Sequence, residues 1–137
     1  MARGRRLTML GVAAVLAGAA APAQAPSFMA FAKVERGLWQ LREIGGATRP
    51  MCIADPATLF QLRSTKMTNC SRFVVENAAT TATVSYTCPG AGQGRTTISV
   101  ETPRLMRIES QGFDHGAPFA VEIEARRTGD CPAVPPR

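Results

Sequence analysis

Residues 118–127 read Pro118-Phe-Ala-Val-Glu-Ile-Glu-Ala-Arg-Arg127. Phe119, Val121, Ile123 and Ala125 fall on one side of the chain, with Glu122, Glu124 and Arg126 on the other. A repeat of two is that of a β-strand with one face in a core and one in water. Upstream, Ala82, Val84 and Tyr86 alternate with Thr81, Thr83, Ser85 and Thr87. In 95–102 the apolar pair is Ile98 and Val100, and in 104–111 Met106 and Ile108 oppose Arg107 and Glu109. In 70–76, Phe73 and Val75 share a face. From Gly37, Trp39, Leu41 and Glu43 face one way and Leu38, Gln40 and Arg42 the other; a short extended piece follows at 51–53. The links at 77–80, 89–94, 103 and 112–116 are short and turn-rich. Short links between half-buried strands predict sequential antiparallel pairing. The expected fold is mainly β: a curved, open barrel-like antiparallel meander of six or seven strands with one or two short helices.

Those helices are read at two places. Residues 27–35 lack Gly and Pro and carry Phe28, Phe31 and Val34 at helical spacing, ending at Gly37. Asp55-Pro56 is a helix start, with Asp55 as N-cap and Pro56 in the first position, sending Leu59, Phe60 and Leu62 inward.

The chain has 137 residues, enough for one domain. Its start, with Arg3, Arg5 and Arg6, an uncharged run from Leu7 to Ala21 and then small residues, has the layout of a secretory signal peptide. The run is shorter than the roughly 20 apolar residues of a membrane span. Cleavage after Ala25 would leave Pro26 beside the cut, so cleavage after Ala23 is favoured. The expected organisation is a leader over 1–23, one exported domain over 24–131 and a disordered tail over 132–137. The intact chain carries a formal charge of +6; without the leader, 13 basic and 10 acidic residues leave +3. The remaining basic residues do not cluster or interleave with aromatics, which argues against nucleic acid.

Cys52, Cys70, Cys88 and Cys131 form an even set, and in a small exported chain that reads as two disulfides. Gaps of 18, 18 and 43 lack the close pairs of a structural zinc site. Of three connectivities, the expected one is Cys52–Cys70, closing the loop around the short helix, with Cys88–Cys131 tying the tail to a central strand.

Other motifs have plain readings. Gly90-Ala-Gly-Gln-Gly94 lacks phosphate-loop spacing and precedes a strand, so it is a hairpin connection. His115, the only histidine, sits beside Asp114 in a turn, with no nucleophile partnered to it in the sequence. Glu122 and Glu124, with Glu109 across from them, lie on the polar face, where Arg107 and Arg126 can pair with them. A small hydrolase built on His115 or on these carboxylates is therefore a minor reading, and no catalytic residue, metal or cofactor is assigned.

Gly37-Leu38-Trp39 is more informative. A Trp after a Gly on a first strand can plug the base of a curled sheet. The motif resembles the G-x-W of lipocalin-like barrels, which an Arg of the last strand packs against; Arg126 or Arg127 would serve. The leader, Gly37-Leu-Trp39, the four cysteines and the ending Arg126-Arg-Thr-Gly-Asp-Cys131 together resemble domain-of-unknown-function family 3617, small exported bacterial proteins. That resemblance implies a curved antiparallel sheet outside the cytoplasm and brings no catalytic residues. The function expected is non-enzymatic, in the periplasm or secreted: binding of a hydrophobic or envelope-derived small ligand in the concavity of the sheet. The alternative is a structural or interaction protein of the cell envelope.

Overall fold

The computed structural model describes residues 18–22, 24–63 and 69–133. Over them the chain forms one open antiparallel sheet of seven strands: β1 (Gly37–Glu43), β2 (Thr48–Ile53), β3 (Ser71–Asn77), β4 (Thr81–Cys88), β5 (Gly92–Thr102), β6 (Leu105–Asp114) and β7 (Ala117–Gly129). The expected leader and tail lie largely outside the described residues.

The order across the sheet is β2-β1-β7-β6-β5-β4-β3. Strands β3 to β7 are the meander that short links dictate. The 13 residues of β7 then pair with β6 along one edge and with β1 along the other. The first hairpin is thereby placed beyond the last strand, and β2 and β3 become opposite edges of the sheet. The chain passes between those edges through a 3-10 helix (Pro56–Gln61). Asp55 caps that helix, accepting from the Ala57 N–H at 2.9 Å, with Pro56 at its first position.

The alternating residues meet on the inner face. Trp39, Leu41, Val84, Ile98, Met106 and Ile108 are all buried, and Leu59 and Phe60 of the 3-10 helix pack into them. Thr96 joins helix to sheet: its hydroxyl donates to the Phe60 carbonyl at 2.8 Å and contacts the Ser110 hydroxyl at 2.7 Å. Strands β5 and β6 approach closely at Gly112. A Cβ on Gly112 would stand 2.1 Å from the Gln93 carbonyl oxygen and 2.6 Å from Gly94 Cα, so only glycine fits there.

Several expectations are corrected. Residues 27–35 form a single 3-10 turn (Met29–Phe31) instead of a helix, because Phe28 offers no side-chain cap and one turn cannot offset its nucleation cost. The turn is held from outside: Asn77 accepts from the Met29 N–H at 2.8 Å and donates to the Ser27 carbonyl at 3.0 Å. Phe73 and Val75 are not core residues; Phe73 is 70% exposed, and Val74 packs inward. A register shift between Val74 and Glu76 leaves Val75 bulged. The loops at 89–94 and 112–116 are shorter than expected, since β5 begins at Gly92 and β6 continues to Asp114.

The disulfides are Cys52–Cys131 and Cys70–Cys88, not Cys52–Cys70 and Cys88–Cys131. Register explains the correction. Leu38 of β1 pairs with Cys52 on one side and Gly129 on the other, so Cys131 emerges next to Cys52. Ser71 pairs with Thr87, which brings Cys70 level with Cys88. The expected Cys52–Cys70 bond would have had to join opposite edges of the sheet.

Candidate ligand-binding cleft

The base of the curled sheet is closed. Trp39 is fully buried, and its indole N–H donates to the Glu35 carbonyl at 3.1 Å. Of the two arginines singled out in the sequence, Arg127 lies at this closure. Its Nε donates to the Arg36 carbonyl at 2.9 Å, its Nη2 to Asp130 at 2.7 Å, and its side chain is 13% exposed. A Cβ on Gly37 would meet the Arg127 guanidinium at 2.8 Å and the Gly129 carbonyl at 2.4 Å, so the glycine makes room for the arginine. Arg126 faces solvent instead, 3.6 Å from Glu124. Glu35 adds a 2.9 Å ion pair to Arg104, and its N–H donates to the Pro103 carbonyl.

Part of the concavity is occupied by the chain itself. Leu59 and Phe60 fill its centre, and Phe28 and Phe31 cover Phe60 with ring centroids 4.9 and 5.7 Å away. At the β3–β4 end, against the segment that precedes β1 and the 3-10 helix, lies a cleft of about 550 Å³. Its apolar wall is Phe28, Phe31, Phe60, Val34, Val74 and Val84; Arg36, Arg72 and Asp55 also line it. A largely preformed concave site with apolar walls and a few polar groups suits a small ligand.

Two of the three polar groups, Arg72 and Asp55, are held in place. Arg72 has the same strand parity as Val74, which turns it toward the interior, and its Nε donates to Gln61 Oε1. Gln61 is itself buried at the end of the 3-10 helix, with its amide nitrogen near Cys88 Sγ. Arg36 and Arg72 make no ion pair among the described residues, whereas Asp55 is engaged as the helix cap.

The other candidate residues stand elsewhere. His115 occupies the β6–β7 turn at φ 49°, its side chain 72% exposed and 2.6 Å from Asp114. Glu109 pairs in register with Glu122, and Glu122 accepts from Arg107 at 3.0 Å. Glu124 lies 3.4 Å from Arg42. These carboxylates sit on the outer face among arginines. All four cysteines are in disulfides, and among the described residues no group of three or more His, Cys, Asp or Glu is arranged to hold a metal. No helix among the described residues is long and apolar enough to cross a membrane.

Arg36, Arg72 and Gln61 were missed in the sequence. The signal that could have found Arg72 is the parity of β3: setting the inner face by Val74 instead of Phe73 turns Arg72 inward. Comparison with protein-family models, with curated proteins and with solved structures gave no match.

Proposed function

We propose that the protein is exported and binds a hydrophobic or envelope-derived small ligand, without chemistry, in the cleft beside β3 and β4. One observation carries this reading: a cleft of about 550 Å³ walled by three phenylalanines and three valines. The layout of residues 1–23, the two disulfides and the resemblance to domain-of-unknown-function family 3617 support export to the periplasm or beyond.

Titration with the neutral fluorophore 1-N-phenylnaphthylamine tests it. The oxidised protein should enhance the emission saturably with one site, and Val74→Trp, which fills the cleft from β3, should abolish the enhancement at an unchanged melting temperature. Enhancement that survives Val74→Trp, or none in the parent protein, rejects the cleft as the site.

A second reading, an interaction protein of the envelope, is favoured by the exposed Phe73 and Val75 on the unpaired edge of β3. It requires Phe73→Lys to abolish a stoichiometric complex. A protein from the envelope fraction that sediments alone counts against it.

A further inference from the structure

We infer that the ligand of the cleft is a single-chain anionic amphiphile, its alkyl chain along the phenylalanine wall and its head group at Arg72 and Arg36. This inference rests on the cleft being a ligand site and adds the charge and shape of what enters it. The wall alone would accept any apolar molecule of suitable size. The lining, however, contains two guanidinium groups without an ion-pair partner among the described residues, against one carboxylate. That carboxylate, Asp55, caps the 3-10 helix through Oδ1, so it is a structural group at the rim.

Arg72 is the more committed of the two cations. Its Nε is tied to Gln61, and a buried glutamine at the end of the 3-10 helix is an inward-facing anchor for an otherwise flexible side chain. The bond uses one of the five guanidinium N–H groups and leaves the Nη edge free of protein partners among the described residues. A guanidinium edge presented in this way matches the two oxygens of a carboxylate or phosphate. The combination of a pre-oriented arginine with an aromatic wall in one cleft fits a molecule with one anionic end and one apolar end. At about 550 Å³ the cleft lies in the range of small-ligand sites and suits one medium alkyl chain.

Four probes sharing a twelve-carbon chain test the inference, each below its micellar concentration, by displacement of 1-N-phenylnaphthylamine from the oxidised protein. They are dodecanoate, dodecyl phosphate, dodecanol and dodecyltrimethylammonium. At least one anion should bind about tenfold tighter than the alcohol, in line with a charge-assisted hydrogen bond at a partly open site, and the ammonium should bind weakest. The tighter anion identifies whether carboxylates or phosphate monoesters are the natural class. Arg72→Gln and Arg36→Gln should remove the preference for the anion and leave dodecanol affinity unchanged, which also shows that the variants fold. Arg95→Gln, on the outer face, should change neither. In the parent protein, raising NaCl should weaken the anion and not the alcohol. Equal affinities for anion and alcohol would overturn the inference and leave the cleft intact as a site; no displacement by any probe would overturn the reading beneath it.

Discussion

Thr96→Val isolates the contact that seats the 3-10 helix inside the sheet. Thr96 is fully buried, and the substitution keeps its branched shape and suits a strand, so neither cavity nor propensity intervenes. Its single hydroxyl proton goes to the Phe60 carbonyl, so Ser110 must be the donor in the 2.7 Å Thr96–Ser110 contact. Valine removes the donor to Phe60 and the acceptor for Ser110 together. An unsatisfied buried acceptor costs about 1–3 kcal/mol, and a lost hydrogen bond about 0.5–1.5. Because Ser110 lies at 9% exposure, its hydroxyl keeps some access to water, so the expected total is about 2–3 kcal/mol. Ser110→Ala leaves the Phe60 bond in place and should cost no more than about 1 kcal/mol. The double variant should cost little more than Thr96→Val, since Ser110 has already lost its acceptor; that is a coupling of about 1 kcal/mol. Urea unfolding of the oxidised protein reads this directly, followed by Trp39, the only tryptophan and a fully buried one. In a thermal scan the Thr96→Val loss corresponds to roughly 10 °C. A Thr96→Val cost below about 0.5 kcal/mol, or strictly additive variants, would refute the hydrogen-bonded seating of the helix.

Non-reducing peptide mapping should recover Cys52 with Cys131 and Cys70 with Cys88. Removing the first bond, whose loop spans 79 residues, should cost about 4.5 kcal/mol against about 3 for the second, which spans 18; equal denaturation midpoints for the two Cys→Ser double variants would contradict that order. Gly112→Ala should destabilise by about 3 kcal/mol or prevent folding, because the clash is with backbone that cannot rotate away; normal expression and melting would show that β5 and β6 do not approach so closely. Arg127→Met should cost about 2 kcal/mol and shift Trp39 emission to the red, while Arg126→Met, on the solvent face, should change stability by less than about 0.5 kcal/mol. Equal effects from the two would remove Arg127 from the closure of the sheet.

The strands were legible because each of them buries one face. In β4 and β7 the alternation alone picks out Ala82, Val84, Tyr86, Ile123 and Ala125, all buried. The cap at Asp55 was legible for a different reason: it is a local geometric requirement met by two adjacent residues. Sequential pairing from β3 to β7 was legible from the short links, and the Gly37-Leu38-Trp39 motif pointed to an arginine of the last strand. The register between β1 and β7 was not legible, because it depends on how far the meander curls before its last strand meets its first. The disulfides inherit this, since Cys52 finds Cys131 only once β1 lies between β2 and β7. In β3 a run of three apolar residues, Phe73-Val-Val75, gives no parity, and the bulge removes what remained. The cleft was illegible for a related reason: its wall joins residues before β1, the 3-10 helix, β3 and β4, which only tertiary packing brings together.

An open sheet has to manage two unpaired edges, and one of the two edge strands here, β3, is also a wall of the cleft. Strand β2 carries Pro50 among exposed residues, which denies its edge a donor. Strand β3 carries the Val75 bulge, which breaks the regular spacing that another strand would need. Edge strands have a partner on one side only, so they should open first. Each disulfide stands at such a strand: Cys52 fastens β2 across β1 to the end of β7, and Cys70 fastens the start of β3 to β4. Each bond thus fastens its edge inward, and Cys70–Cys88 holds β3, the edge strand that supplies Arg72 and Val74 to the cleft. Reduction of Cys70–Cys88 should loosen the β3 wall of the cleft before it unfolds the core, so 1-N-phenylnaphthylamine binding should fall at reductant concentrations that leave Trp39 emission unchanged. Loss of both signals together would mean that the cleft wall and the core form one cooperative unit, and that the staple at β3 has no separate part in keeping the cleft.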